Sequence, residues 1–494
     1  MKFSSDGDFI YFVGTSGENQ PTSLFKITTL GRNQQKVIEH VDSQISFSPD
    51  GKNIAFVRSA EGKFSIIIAD QQGKNERILI TRQSPKAYTD EISWSPDGRL
   101  IASPTLVFGA TYAAGIAVID VATGEEKQIP LKAEKLLRIS RAEWVNGGKG
   151  LIFSLLAQDM GGLYQLRYAA FPGGEVQNVT NDLSSYEDFS MTADNQTLVA
   201  VQREYSMGIW LTSEADFTSA AAINSKTGAD DGKLGVCWTK DGKIIFVTSE
   251  GGAQNIWRMD ADGSNPKPLT TGYEYAKVYP TLASESGLIT YLSRAVDPVS
   301  KELIPGWTFF QMDSDGQNVR QVVEKFDAAL EEASANKDWV IYTSRDGGRS
   351  HIWKVPLKGG PPVRLTDFQS TAPAISPDGK SVAYFFSEEG KPLKLGIISI
   401  DGGEPLKTFE MLSTTNTEPG IAWNKNGDHI LFVNKLGTTS NIWIQPLDDQ
   451  QPKPLTDFKE FQIARFALNA EGNRLAVARG SRNQDVVLLK NLRY

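Results

Sequence analysis

The residues best able to do covalent or acid–base chemistry are few and scattered: three histidines and one cysteine in 494 residues. His40, His351 and His429 stand far apart, whereas zinc sites draw ligands from closely spaced His and Cys. A Ser-His-Asp triad would need a Gly-x-Ser-x-Gly turn between a strand and a helix, and the chain has no such stretch. Cys237, beside Trp238, reads as a buried, inert thiol; a lone cysteine forms no intramolecular disulfide. Asp260-x-Asp262-Gly263 and Asp313-x-Asp315-Gly316 share the opening spacing of a calcium loop, but the distal Glu is missing and both read as hairpin turns. Adjacent pairs such as Glu331-Glu332 and Asp230-Asp231 point to opposite faces of an extended chain rather than around one substrate. Two-acid glycoside chemistry would need acids from separate segments, which chain order alone does not pair. The residues therefore predict no catalytic site, no metal site and no cofactor.

Arginine gives the more regular signal. Arg58, Arg203, Arg294, Arg345 and Arg479 each end the same strand of a recurring unit, which places them on one rim of whatever the units build. That rim also carries the longest insertions, 103–115 with Phe108 and Tyr112, and 293–306 just before Trp307. Guanidinium forks and aromatic faces suit an anionic or peptide ligand. The competing use of each Arg is pairing with an Asp or Glu of a neighbouring unit.

The elements that position these residues come from a repeat. Ser48-Pro49-Asp50-Gly51, Ser95-Pro96-Asp97-Gly98 and Ser376-Pro377-Asp378-Gly379 each separate two apolar strands, and worn copies stand at Asp6-Gly7, Asp241-Gly242, Asn426-Gly427 and Glu471-Gly472. Pro presets φ, Asp bonds nearby backbone, and Gly takes the positive φ that ends the hairpin loop. A third strand follows with an Ile-Trp pair, at Ile209-Trp210, Ile256-Trp257, Ile352-Trp353 and Ile442-Trp443. A short fourth strand ends in Leu-Thr, at Leu269-Thr270, Leu365-Thr366 and Leu455-Thr456. Four antiparallel strands repeating every 42 to 50 residues or so are the unit of a β-propeller. The fold class predicted is all-β, two tandem propellers of four-stranded blades.

Eleven units begin near residues 1, 45, 91, 141, 188, 234, 279, 329, 372, 420 and 463, more than one ring ordinarily holds. The seam falls within 218–233, giving a first propeller over 1–225 with five recognisable blades and a second over 226–494 with six. The last unit stops after a third strand at 485–489, and 220–224 is placed to supply its missing fourth strand. The first ring has no such donor, so a blade before Met1 is expected; otherwise that ring is five-bladed or open.

A 40% apolar, 22% charged chain buries sizeable cores and is not disordered. Its net charge of −8 argues against nucleic-acid binding. No run of 18 apolar residues occurs, so no membrane span is expected, and Met1-Lys2-Phe3 opens no signal peptide.

Ser-Pro-Asp-Gly hairpins with Ile-Trp strands resemble the TolB-type, WD40-like (PD40) repeat family over essentially the whole chain. The closing Ala476-Val-Ala-Arg-Gly480 and Asp485-Val-Val-Leu-Leu489 are similar to the end of double propellers that some bacterial Ser/Thr kinases and winged-helix regulators carry. The resemblance implies a non-catalytic binding or sensing scaffold, the sensor part of a bacterial signalling protein, with an upstream kinase or winged-helix effector as partner. It would recognise a protein, a peptide or a small anionic ligand on its rim or in its channel. A free-standing TolB-like periplasmic interaction factor is the alternative, and a propeller-type hydrolase or glycosidase is the alternative of another class. Family resemblance favours a periplasmic location; composition leaves the compartment open.

Overall fold

The computed structural model describes the chain apart from residues 5, 16–20, 90, 108–112, 133–135, 158–162, 193–195, 215, 225–227, 251–253, 273–275, 284–286, 294–306, 323–328, 347–348, 388–390, 449, 491 and 493–494. Each Ser-Pro-Asp-Gly run closes as a self-bonded turn. The Ser48 hydroxyl donates to Asp50 Oδ1 at 2.6 Å, Asp50 accepts the Lys52 N–H, and the Asn53 N–H returns to Ser48 Oγ at 2.9 Å. The same set recurs at Ser95 and at Ser376. Gly98 ends its turn at φ +74°, where a Cβ would meet nothing closer than Pro49 Cδ at 3.7 Å. The cost of Gly98→Ala is therefore conformational, about 1 kcal/mol, and urea unfolding should show a loss of that size.

These turns set the register of the sheets. In the third sheet Ser93–Trp94, Leu100–Val107, Ala113–Asp120 and Glu126–Gln128 pair in sequence order, with Trp94 opposite Ile101 and Ile101 opposite Ile119. Among the described residues there are ten antiparallel sheets, and the only helical element is the single turn Asn146–Gly148. The all-β propeller class read from the repeats is what the chain adopts.

Two compact units result: Met1–Glu204 with Asn483–Tyr494, and Tyr205–Arg482. Two long strands, Thr197–Ser213 and Leu475–Lys490, are neighbours in one sheet, and each passes from one unit to the other along its length. In the second unit, the first part of Leu475–Lys490 pairs with Gln462–Leu468, and the last part of Thr197–Ser213 pairs with Asp216–Asn224. Residues 220–224 thus close the last sheet, as the repeat pattern suggested. Ile209-Trp210 is a correction: read as the third strand of the unit beginning at 188, it packs instead with Val236 and Ala476 in the second unit. Residues 485–489 move the other way. Val487 and Leu489 pack on Tyr186, Phe189 and Leu198 of the first unit, supplying the donor strand that the sequence had not offered that ring. Residues 205–225 and 483–494 therefore lie on the other side of the boundary from the division at 225, because strand pairing, not chain order, assigns them.

Apolar faces of successive sheets make the cores. The second unit has six sheets and six cores. Its last and first sheets are joined by the Trp238 indole, which donates to Ala467 O at 3.1 Å just as Trp423 donates to Ala374 O at 3.0 Å between consecutive sheets. In the first unit four cores join five sheets, and among the described residues no core joins the fifth sheet to the first.

Candidate carboxylate–arginine site

First strands of separate sheets meet in the first unit: Lys2 of the first sheet reaches Glu143 of the fourth at 2.9 Å. Glu143 lies in Leu136–Val145 with Arg141, two residues apart and so on one face of the strand. Asp188 lies in Ser185–Met191 of the fifth sheet, and Glu91 just ahead of Ser93–Trp94 of the third. Arg141 is the hub: its guanidinium stands 2.6 Å from Glu143 Oε1, 2.7 Å from Asp188 Oδ1 and 3.9 Å from Glu91 Oε1. Its ring-side face stacks over Phe189, and its Nε has no hydrogen-bond partner.

The carboxylates are not equivalent. Burial, helped by Asp188 and Glu143, pushes Glu91 up to about 7, against the pull of Arg141 and Lys2. Burial also opposes the charge of Glu143, but Arg141 and Lys2 outweigh it and hold this carboxyl below its ordinary value. Burial disfavours the Arg141 charge too, and the surrounding acids more than restore it. Burial thus favours the protonated form of Glu91 while Arg141 and Lys2 favour the ionised form of Glu143, so the two carboxyls are pushed apart. Lys2, Arg141 and the Met1 amino group stand against Glu91, Glu143 and Asp188; burial holds that amino group below its ordinary value, so it is the weakest of the three cations and the one an incoming cation could replace.

The sequence missed this cluster, although the signal exists. Arg141 and Asp188 are 47 residues apart, close to the repeat length, so superposing the repeats brings Glu91, Arg141 and Asp188 to one position.

Three of the rim arginines, Arg58, Arg203 and Arg479, have partners within the chain. Arg58 pairs with Glu76 at 2.8 Å and donates to His40 O at 2.9 Å; Arg203 pairs with Glu187. Arg479 is buried, bonded to Glu460 O and stacked 4.1 Å over Phe458 and 4.9 Å over Trp210. Burial lowers its pKa, with Glu460 opposing. Arg345 lies opposite Ala329 and Ser350. Trp307 packs on the core of Phe309 and Tyr342. Arg58 and Arg203 belong to the first unit, and Arg345, Arg479 and Trp307 to the second. Arg294, Phe108 and Tyr112 lie outside the described residues. Beside the insertion at 103–115 opens a cavity of about 540 Å³ lined by Arg82, Lys86, Thr105, Gly115, Glu126 and Gln128. Its acid is already saturated: Glu126 pairs with Arg82 and accepts the Tyr88 hydroxyl at 2.5 Å.

The other motifs resolve as structure. Asp260 accepts Asn265 Nδ2 at 2.7 Å and pairs with Lys243, Asp262 accepts the Ser264 N–H, and Asp313 accepts Asn318 Nδ2 at 2.6 Å, all within turns. The Cys237 thiol is buried, which pushes it up to about 12.

No family model matches the chain. Over 140 residues, 27% of this chain and 20% of the relative, it is 28% identical to the uncharacterized peptidase YuxL of Bacillus subtilis, so it spans about a fifth of that protein's length. Among solved structures it is similar to TolB from Acinetobacter baumannii, with TM-score 0.35 and 15% identity over 78% of this chain and 82% of that one. It is likewise similar to a putative TolB from Agrobacterium tumefaciens, with TM-score 0.40 and 15% identity over 56% and 98%, and to the tricorn protease, with TM-score 0.35 and 15% identity over 89% and 42%. The expectation of a non-catalytic scaffold is corrected by the sequence relative, which bears the name of a peptidase.

Proposed function

We propose that this chain is a polypeptide-binding propeller serving peptidase chemistry, and that the Glu91–Arg141–Glu143 cluster receives a cationic group of the bound chain, a lysine or arginine side chain or a free amino terminus. The observation that supports the reading is a cluster of three carboxylates, Glu91 pushed up to about 7 beside Glu143, whose third cation is a Met1 amino group that burial holds below its ordinary value. The 28% identity to a protein named a peptidase supports polypeptide as the ligand class.

Binding a cation favours ionised Glu91, so affinity should rise with pH through about 7. Fluorescence anisotropy with a labelled lysine-containing peptide should show roughly tenfold tighter binding at pH 8 than at pH 6, the ratio of ionised fractions around such a pKa. Glu91→Gln should bind weakly and without that pH dependence. Equal binding of lysine and norleucine peptides, or an unchanged profile in Glu91→Gln, would refute the reading.

A further inference from the structure

The fourth strands are held by one device in four sheets. A single buried residue of the third strand donates its N–H to a threonine Oγ1 of the fourth: Leu166 to Thr180, Ile256 to Thr270, Ile352 to Thr366 and Ile442 to Thr456, each at 2.9 Å. The carbonyl of that same residue accepts the N–H of the apolar residue just before the threonine, from Val179, Leu269, Leu365 and Leu455 at 2.8 to 3.0 Å. An apolar-Thr dipeptide thus clips onto one third-strand residue.

The fifth sheet of the first unit has a third strand and, among the described residues, no fourth. Residues 483–490, the last part of Leu475–Lys490, have Thr197–Ser213 on one side only, since Gln462–Leu468 pairs with residues 475–480. The segment is third-strand in type. Asp485-Val-Val-Leu-Leu-Lys490 turns Val487 and Leu489 into the core and leaves Val486 and Leu488 72% and 57% exposed. Several outermost strands elsewhere in the chain are short and charged, as Glu126–Gln128, Lys267–Pro268 and Lys453–Pro454 are, while Arg77–Gln83 and Asp216–Asn224 are longer. Short, charged outer strands are how sheets protect their edges. Residues 485–490 carry four consecutive apolar residues instead.

We propose that this edge is a strand-addition site for an extended segment of a partner polypeptide carrying an apolar-Thr dipeptide, clipped to Val487 as Leu269-Thr270 is to Ile256. Recognition is by backbone hydrogen bonds and one hydroxyl, with Val486 and Leu488 gaining cross-strand neighbours on their face of the sheet. The proposal goes beyond the cluster at Glu91 and is independent of it.

The probe is a peptide copying residues 265–271, Asn-Pro-Lys-Pro-Leu-Thr-Thr, added to the full chain. Hydrogen–deuterium exchange should show protection of amides 485–490. N-methylation of the peptide at Leu269 should abolish that protection, and Thr270→Val in the peptide should weaken binding about tenfold, the worth of one hydrogen bond. Val486→Lys with Leu488→Lys, both at exposed positions, should also remove it, while Glu91→Gln should leave it intact. No protection at millimolar peptide overturns the proposal. So does equal protection by the N-methylated peptide, which would mean an unspecific apolar patch. Protection of 485–490 that grows with protein concentration in the absence of peptide would overturn it in favour of a second copy of the chain.

Discussion

Gly480→Ala should destabilise the second unit by about 3 kcal/mol, the upper range for forcing extra volume into a packed interior. Gly480 sits in Leu475–Lys490, and a Cβ there would stand 1.9 Å from Ser206 O and 2.6 Å from Met207 Cα. Both are backbone atoms of the adjoining strand Thr197–Ser213, so no rotamer change relieves the overlap; the two strands must separate. The cause is closeness, not dihedral strain, since Gly480 is absent from the positive-φ glycines. The adjacent Arg479, stacked between Phe458 and Trp210, would shift with it. Urea unfolding followed by tryptophan fluorescence should show the loss. A change below 1 kcal/mol would mean that the strands are less tightly apposed than described.

Glu91→Gln should make the chain more stable at pH 8 by about 2 to 3 kcal/mol and leave it nearly unchanged at pH 4. A shift from 4.5 to about 7 is worth about 1.4 kcal/mol per unit, and Glu91 is only 17% exposed, so solvent screens little of it. In sign, the native chain holds a proton that the unfolded chain releases between pH 4.5 and about 7. Stability from this group is complete below 4.5 and is lost as pH rises through 7. Gln cannot ionise, and the difference between the two unfolding profiles reports Glu91 with the Arg141, Lys2, Asp188 and Glu143 charges coupled to it. Parallel profiles across pH 4 to 8 would show that the carboxyl titrates normally. Stability and peptide affinity run in opposite directions with pH, because the charge that the fold resists is the one a cationic ligand uses.

Much of the fold was legible in particular residues. The Ser-Pro-Asp-Gly turns carry their own hydrogen bonds, so local sequence suffices to place them, and the Leu-Thr ends mark fourth strands because the threonine makes a specific backbone contact. What the repeat did not reveal was which copy of a strand pairs with which. Ile209-Trp210 has the same local pattern as Ile256-Trp257, and only its contacts with Val236 and Ala476 show that it completes a sheet begun over 200 residues later. The carboxylate cluster was hidden for a similar reason. Glu91, Arg141 and Asp188 meet because the first strands of three successive sheets lie side by side, and each looks like an ordinary surface charge when read along the chain.

The strand exchange also sets an order of events at the ribosome. Everything the second unit needs, residues 205 to 482, has emerged before residue 483 does, so that unit can close its ring while the first still lacks the third strand of its fifth sheet. The segment made first is finished last. A nascent chain from which residue 482 had just emerged would carry a second unit with all its strands beside a first unit whose fifth sheet ends at residues 197–204, with the core around Tyr186 and Phe189 waiting for Val487 and Leu489. Loss of the final dozen residues would injure the amino-terminal unit, not the one they follow.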